Sequence, residues 1–165
     1  MINMRVRILV TGGTFDKVYD PINEKLDFTE THIPEILKQG RNRTEVELET
    51  LMLKDSLYMT DADRQHILEK CQSSLEDNIL ITHGTGTIVE TAKVLGQNLE
   101  GKTVVLTGAM MPYSVNNSDA LFNFAYAFGA VQSLPNGVYI AMNGRIFYDG
   151  NVIKNTEIGE FETIK

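Results

Sequence analysis

The sequence predicts an α/β fold in which a mainly parallel sheet lies between layers of helices. Short apolar runs rich in β-branched residues recur along the chain, and helical patterns separate them. Because the runs show little alternation of polar and apolar residues, we expect strands that are covered on both faces, as in a parallel sheet. The predicted strands are Val6–Val10, Val46–Leu53, Ile79–Ile81, Val104–Leu106 and Val138–Met142.

Helical patterns fill the intervals between these strands. Thr60 followed by Asp63 resembles an N-terminal capping box with Asp in place of Glu or Gln, and an apolar stripe behind it extends to Leu75. The stretch Tyr148–Asn151 predicts a hairpin turn between two short strands. The other predicted helices cover residues 31–39, Ile88–Leu95 with a stop near Gly96, and a phenylalanine-rich segment from about Asn117 or Ser118 to Val131.

Size and charge restrict the class of protein. The 165 residues fit one domain of ordinary size, with the apolar and charged content of a soluble globular protein. The net charge of −7 argues against nucleic acid or an anionic membrane as the main partner. The single cysteine, Cys71, and the short apolar N-terminal run predict a cytoplasmic protein without an internal disulfide. No pair of histidines has metal-ligand spacing, so we expect neither a metal nor a cofactor.

Two loops that follow predicted strands combine glycine with hydroxyl side chains. Thr11–Thr14 (TGGT) follows the first strand, where the glycines permit a tight turn and a close approach to backbone N–H groups. Thr82–Thr87 (THGTGT) follows the third strand and opens a helix, where N–H groups suit a carboxylate or an oxyanion. A plain turn and a helix cap are the structural alternatives. His83 is expected to be structural, as histidines at strand ends more often are. The repeated layout favours a site at the carboxyl ends of the strands.

The segment Gly96–Thr103 matches the phosphate-binding P-loop pattern letter for letter. A P-loop follows a strand and opens a helix, whereas here the predicted helix comes first and the strand follows. Glu100 would also place a negative charge in the loop. Nucleotide binding is therefore a disfavoured alternative. Lys102 precedes a buried strand, where a desolvated lysine loses its proton more readily and can act as a base, although a solvated loop lysine is the alternative.

Together these segments resemble the bacterial-type L-asparaginase family in order and spacing. Thr11–Thr14 is similar to the family's first signature, Thr82–Thr87 to the second, and Lys102 with Thr107–Pro112 to the segment that holds the catalytic lysine. The likeness continues through Asp55–Ser56, Ser118–Asp119, Phe122–Asn123 and Val138–Gly150. It implies a flavodoxin-like three-layer domain, as in the family's N-terminal domain, over residues 1–165 and without the family's second domain.

The resemblance implies a covalent amide hydrolase. Thr14 would attack the side-chain amide carbon of L-asparagine or a related small amide, and ammonia would be released. Thr85 and Lys102 would move protons, while the N–H groups of Thr14 and Thr85 would hold the oxyanion. Tyr19 is the candidate for a tyrosine that the family places near the first loop, and Phe28 is the other residue that could take this place.

The resemblance also implies substrate contacts and an assembly. Ser56 falls where the family places a serine that binds the substrate's α-carboxylate. The other expected substrate-binding residues are Gly13, Asp55, Gly84, Gly86 and Ala109. The resemblance implies a homodimer or homotetramer, and the helix Leu121–Phe128 favours an assembly because it offers more apolar surface than one sheet face needs.

Two departures from the family pattern concern the substrate's ammonium group. The aspartate of the second signature is Gly86, and the glutamine after the carboxylate-binding serine is Leu57. An ammonium in a crevice without a counter-charge is costly. We therefore expect a substrate that lacks a free α-amino group, or a replacement acid among Asp16, Asp55 and Asp119. The competing hypothesis is a non-catalytic relative that binds a small carboxylate or amide.

Overall fold

A six-stranded sheet separates two layers of helices. The computed structural model describes residues 4–164. In chain order its elements are β1 (Arg5–Gly12), β2 (Lys17–Asp20), β3 (Lys25–Phe28), α1 (Ile33–Gln39), β4 (Glu45–Lys54), α2 (Asp61–Ser73), β5 (Asn78–Thr82), α3 (Ile88–Asn98), β6 (Thr103–Thr107), α4 (Ala120–Val131), β7 (Gly137–Met142), β8 (Arg145–Tyr148), β9 (Val152–Asn155) and β10 (Glu160–Thr163). No helix within this range is long and apolar enough to cross a membrane.

The predicted parallel sheet is confirmed. The strand order is β4-β1-β5-β6-β7-β8, and the first five of these strands run parallel, while β8 is antiparallel to β7. All five predicted strands are present, with ends that differ by no more than two residues. The central strands β5 and β6 are almost wholly buried, which explains their continuous apolar sequence.

The core lies on both faces of this sheet because successive strand residues point to opposite sides. In β1, Leu9 packs in the layer that α2 and α3 cover, whereas Ile8 and Val10 pack in the layer that α1 and α4 cover. Each face therefore has its own apolar cluster, and the carboxyl ends of the parallel strands are left for polar loops.

The capping box at the start of α2 is confirmed. The Thr60 hydroxyl accepts a hydrogen bond from the Asp63 N–H at 3.2 Å, and the Asp63 carboxylate accepts one from the Thr60 N–H at 2.7 Å. Lys54 adds an ion pair to the same carboxylate at 2.6 Å. The apolar stripe was predicted too long: α2 ends at Ser73, and Leu75 lies beyond it with 90% of its surface exposed.

The hairpin predicted at Tyr148–Asn151 is wrong. This stretch joins β8 to β9, which lie in different sheets, and β9 pairs with β10 instead. The hairpin turn is Asn143–Gly144, between β7 and β8, where both residues have positive φ as a type I′ turn requires. Val152 is buried in the core, so β9 turns back over the molecule rather than extending the sheet.

Removal of the capping hydroxyl should weaken the start of α2. We expect Thr60→Ala to lower the free energy of unfolding by about 1 kcal/mol, because the Asp63 N–H loses its acceptor. Urea denaturation at neutral pH measures this value. Thr29→Ala, at an exposed loop threonine, is the matched control and should change stability by less than ~0.5 kcal/mol. Equal effects of the two substitutions would contradict the capping assignment.

Candidate active site

A cleft of about 310 Å³ lies at the carboxyl ends of β1, β4 and β5. These strands are neighbours in the sheet, so the loops that follow them meet at one edge. The residues that line the cleft are Thr14, Asp55, Ser56, Leu57, Gly84, Thr85, Gly86, Lys154 and Thr156. The structure thus brings together most of the residues that the sequence suggested as a site, and it adds a lysine that sequence reasoning missed.

Two glycine contacts hold the loops against each other. Gly13 has φ +77°, and a Cβ on it would lie 2.4 Å from the Cα and N atoms of Gly84. A Cβ on Gly108 would lie 2.4 Å from the carbonyl oxygen of His83. The loops after β1, β5 and β6 therefore touch backbone to backbone, and a side chain at either glycine would push them apart.

Ser56 and Asp55 form the floor of the cleft after β4. The Ser56 hydroxyl accepts a hydrogen bond from the Thr87 N–H at 3.2 Å, and the Thr87 hydroxyl donates to the Ser56 carbonyl at 2.8 Å. The Asp55 carboxylate accepts from Lys17 Nζ at 2.6 Å and from the Leu57 N–H at 3.0 Å. These bonds lower the pKa of Asp55, so this carboxylate is ionised and already neutralised by a lysine.

Lys154 is the lysine of this cleft. It lies on β9, and its Nζ donates a hydrogen bond to the Thr85 hydroxyl oxygen at 2.8 Å. Burial lowers the pKa of Lys154 because a charged amine loses hydration there. The amine is therefore easier to deprotonate than an exposed lysine. In the sequence, Lys154 lies four residues beyond Gly150, where the quoted likeness to the family ends, and no local pattern marks it as a site residue.

The structure places Lys102, the expected catalytic lysine, away from the cleft. Lys102 comes just before β6, at the amino ends of the strands, about 16 Å from the Thr107 end at ~3.3 Å per residue. Its Nζ donates to the carbonyl oxygens of Ser74 and Glu76, both at 2.9 Å, just after α2 ends. Lys102 therefore stabilises the segment that follows α2, and it is not among the residues that line the cleft.

In the segment that matches the P-loop pattern, the helix comes before the strand, as the sequence indicated, which is the reverse of the order in a P-loop. Gly96 lies inside α3, which ends at Asn98, and β6 begins at Thr103. The segment is therefore a helix-to-strand connection at the opposite edge of the sheet from the cleft. Its N–H groups do not lie at the start of a helix, whereas in a P-loop the backbone N–H groups and the following helix N-terminus together bind the phosphate.

Several other expected site residues lie outside the cleft lining. Tyr19 is on β2 with 59% of its surface exposed, and Phe28 on β3 pairs with Lys17. Ala109 is buried in the core cluster on the α4 side. Gly13 acts through its contact with Gly84. The proposed roles of these residues in substrate binding or proton transfer stay predictions.

Of the three acids considered as replacements, only Asp55 lines the cleft. Asp16 is fully buried and accepts hydrogen bonds from Thr31 and from the His32 N–H, and burial raises its pKa. The Asp119 carboxylate accepts hydrogen bonds from the N–H groups of Met110 and Met111, and it is not among the residues that line the cleft. Both carboxylates organise loops behind the site.

His83 is a buried and neutral support for the second loop. Its Nδ1 lies 2.8 Å from the Gly84 carbonyl oxygen, and since a carbonyl only accepts, Nδ1 carries the proton. Nε2 then accepts from the Thr91 hydroxyl at 2.7 Å. Burial lowers the pKa of His83 to about 4. The Gly84 carbonyl is thereby held toward the ring, so the Thr85 N–H of the same trans peptide points away from it.

The comparisons with known proteins identify the family. The Asparaginase, N-terminal family model matches residues 5–165. This chain belongs to the asparaginase family. It is 31% identical over 156 residues to L-asparaginase 1 of Escherichia coli (strain K12), which covers 88% of this chain and 46% of that protein.

Solved asparaginases share the fold. The thermostable L-asparaginase of Thermococcus kodakarensis matches with a TM-score of 0.79 at 27% identity, over 98% of this chain and 51% of that one. A probable cytoplasmic L-asparaginase of Campylobacter jejuni also gives 0.79 at 27% identity, over 97% and 51%. This chain thus spans about half the length of these relatives. Its assembly into a homo-oligomer and its cytoplasmic location stay predictions.

The buried state of His83 predicts an acid sensitivity. Its folded pKa of about 4 lies below the value of 6.5 for a free ring, so the unfolded chain binds the proton first. Stability should therefore fall by up to about 1.4 kcal/mol per pH unit from this group as pH drops from 6.5 toward 4. Nitrogen-15 NMR of the histidine rings should show the His83 ring as a neutral Nδ1–H tautomer at pH 5. The spectrum of His83→Gln identifies the resonance, and a titration midpoint near 6.5 would contradict the assignment.

Proposed function

We propose that this asparaginase-family chain hydrolyses the amide of a small carboxamide and releases ammonia, with Thr14 as the nucleophile. One observation supports this most: Thr14, Thr85 and Lys154 line a single cleft, and the amine and the Thr85 hydroxyl are hydrogen-bonded. A hydroxyl nucleophile needs a nearby base that can take its proton. A lysine with a lowered pKa, connected through a second hydroxyl, meets this need.

The first half of the proposed reaction forms an ester. The Thr14 oxygen bonds to the amide carbon, and its proton passes through the Thr85 hydroxyl to the neutral amine of Lys154. The amide oxygen becomes an oxyanion, for which the N–H groups of Thr14 and Thr85 are the proposed donors. Loss of one such donor typically slows an enzyme ~10²–10³-fold. The tetrahedral carbon then breaks its bond to nitrogen, and ammonia leaves with the proton that Lys154 returns.

The second half restores the enzyme. Water attacks the ester carbon and gives a proton to the same relay, and the bond from this carbon to the Thr14 oxygen breaks. The threonine oxygen takes a proton back, and the acid product leaves as a carboxylate. The net reaction is amide plus water to carboxylate plus ammonium, which needs no other reactant.

Ser56 is proposed to hold the substrate's carboxylate. Its oxygen already accepts the Thr87 N–H, so its own hydrogen is available for a bound anion. Lys17 forms an ion pair with Asp55, so the Asp55 carboxylate beside the cleft is neutralised and repels a bound anion less. These groups would orient the substrate so that its amide reaches Thr14.

Substitution of the nucleophile gives the first test. We expect Thr14→Ala to lower ammonia release at least ~10³-fold, since no other hydroxyl would form the ester. Release is measured on L-asparagine, L-glutamine and succinamate by a coupled ammonia assay. Thr29→Ala is the matched control and should keep the wild-type rate. Unchanged turnover by Thr14→Ala would contradict the mechanism. Ligand-induced thermal stabilisation of the wild type without any turnover would favour the non-catalytic relative.

The two lysines allow a second test that separates catalysis from stability. Lys154→Met should lower kcat ~10²–10⁴-fold while the protein stays folded, because the proton acceptor is lost. Lys102→Met should keep kcat but lower the free energy of unfolding by about 1–3 kcal/mol, because two carbonyl oxygens lose a charged donor. Paired rate and urea-denaturation measurements on both variants check this. Loss of kcat in Lys102→Met alone would reverse the assignment.

A further inference from the structure

We infer that the substrate is the monoamide of a small dicarboxylate without an α-ammonium group, of which succinamate is the simplest member. The inference rests on the proposed function, because it concerns the same cleft. It is carried by the charges that line the cleft and by the packing of Leu57 against Gly86.

The cleft offers no free negative charge to an ammonium. Asp55 is the one carboxylate in its described lining. One Asp55 oxygen accepts Lys17 Nζ at 2.6 Å, and the other accepts the Leu57 N–H at 3.0 Å. The other ionisable side chain of this lining is the Lys154 amine, and the ion pair with Lys17 neutralises Asp55, so the lining carries no unpaired negative charge. A substrate ammonium would therefore have to displace Lys17 or remain unpaired.

The apolar side chain of Leu57 lies beside Ser56, the proposed carboxylate-binding serine. A Cβ on Gly86 would lie 3.0 Å from Leu57 Cδ2 and 3.1 Å from Ser56 Oγ. The leucine side chain thus borders the space into which any side chain at position 86 would extend. Leu57 is 72% exposed in the open cleft. A substrate methylene placed there would cover apolar surface, whereas an ammonium would lose hydration without gaining an acceptor.

Two other acids close to the site loops, Asp16 and Asp119, have side chains held outside the cleft. Asp16 is two residues from Thr14, but its side chain is fully buried behind the loop and burial raises its pKa. Asp119 accepts N–H groups of two methionines and a side-chain N–H of Asn143. Neither lines the cleft. Neither carboxylate therefore supplies a counter-charge for a substrate ammonium.

The decisive measurement compares two amides that differ only in the ammonium group. Ammonia release is followed from succinamate and from L-asparagine, with Thr14→Ala as the background. We expect kcat/KM for succinamate to exceed that for L-asparagine at least tenfold. Equal or faster hydrolysis of L-asparagine would overturn the inference.

A double variant tests the residues that carry the argument. Leu57→Gln with Gly86→Asp introduces an acid and replaces the apolar side chain, and removal of the leucine gives the new side chain room. We expect this variant to shift the ratio of the two kcat/KM values at least tenfold toward L-asparagine. An unchanged ratio in a variant that keeps the wild-type melting temperature would overturn the assignment to these residues.

Binding of the two products separates this inference from the proposed function. Calorimetry measures succinate and L-aspartate on the wild type and on Thr14→Ala, and neither ligand needs catalysis. At least tenfold tighter binding of succinate supports the inference even if every amide is inert, a result that would overturn only the hydrolase proposal. Equal or tighter binding of L-aspartate, or no binding of either at millimolar concentration, overturns the inference.

Discussion

The backbone contact between Gly13 and Gly84 is the constraint on which the cleft depends. A Cβ on Gly13 would lie only 2.4 Å from backbone atoms of Gly84, so the loops after β1 and β5 can approach this closely only with a glycine at position 13. This approach brings Thr14 and Thr85, which follow the two glycines, to the same opening. The parallel neighbours β1 and β5 supply the starting points of the two loops, and the glycines remove the side chains that would otherwise separate them.

Charge is distributed unequally between the two ends of the sheet. At the amino ends, Lys102 is used for structure, since it satisfies two carbonyl oxygens that follow α2. At the carboxyl ends, Lys154 has one hydroxyl partner and a lowered pKa. His83 supports the loop after β5 through hydrogen bonds and adds no charge there, because burial keeps its ring neutral. The same sheet therefore holds one lysine in a structural role and places the other where burial makes its proton easier to lose.

Local sequence patterns predicted most of the fold and only part of the site. Strand cores and the Thr60 capping box depend on neighbouring residues, so they could be read from the chain. The roles of Lys102 and Lys154 could not, because no local pattern shows which of the two lysines lies near the cleft. What separates them is the end of the sheet at which each lies, a property of the assembled sheet. The turn at Asn143 was also missed, although an Asn-Gly pair is a strong local indicator of a hairpin.

In the ribbon formed by β9 and β10, the direction of the Lys154 side chain depends on whether an even or an odd number of residues separates it from Val152. Val152 and Lys154 lie on the same face of β9, because they are two residues apart in a strand. Val152 is buried in the core, and this anchor directs the lysine toward the cleft. The insertion or deletion of one residue between them would leave the hydrophobic anchor in place and turn the amine to the outer face. Such a chain would keep its fold and the Asp55–Ser56 floor of the cleft but lose the lysine that we propose as the base.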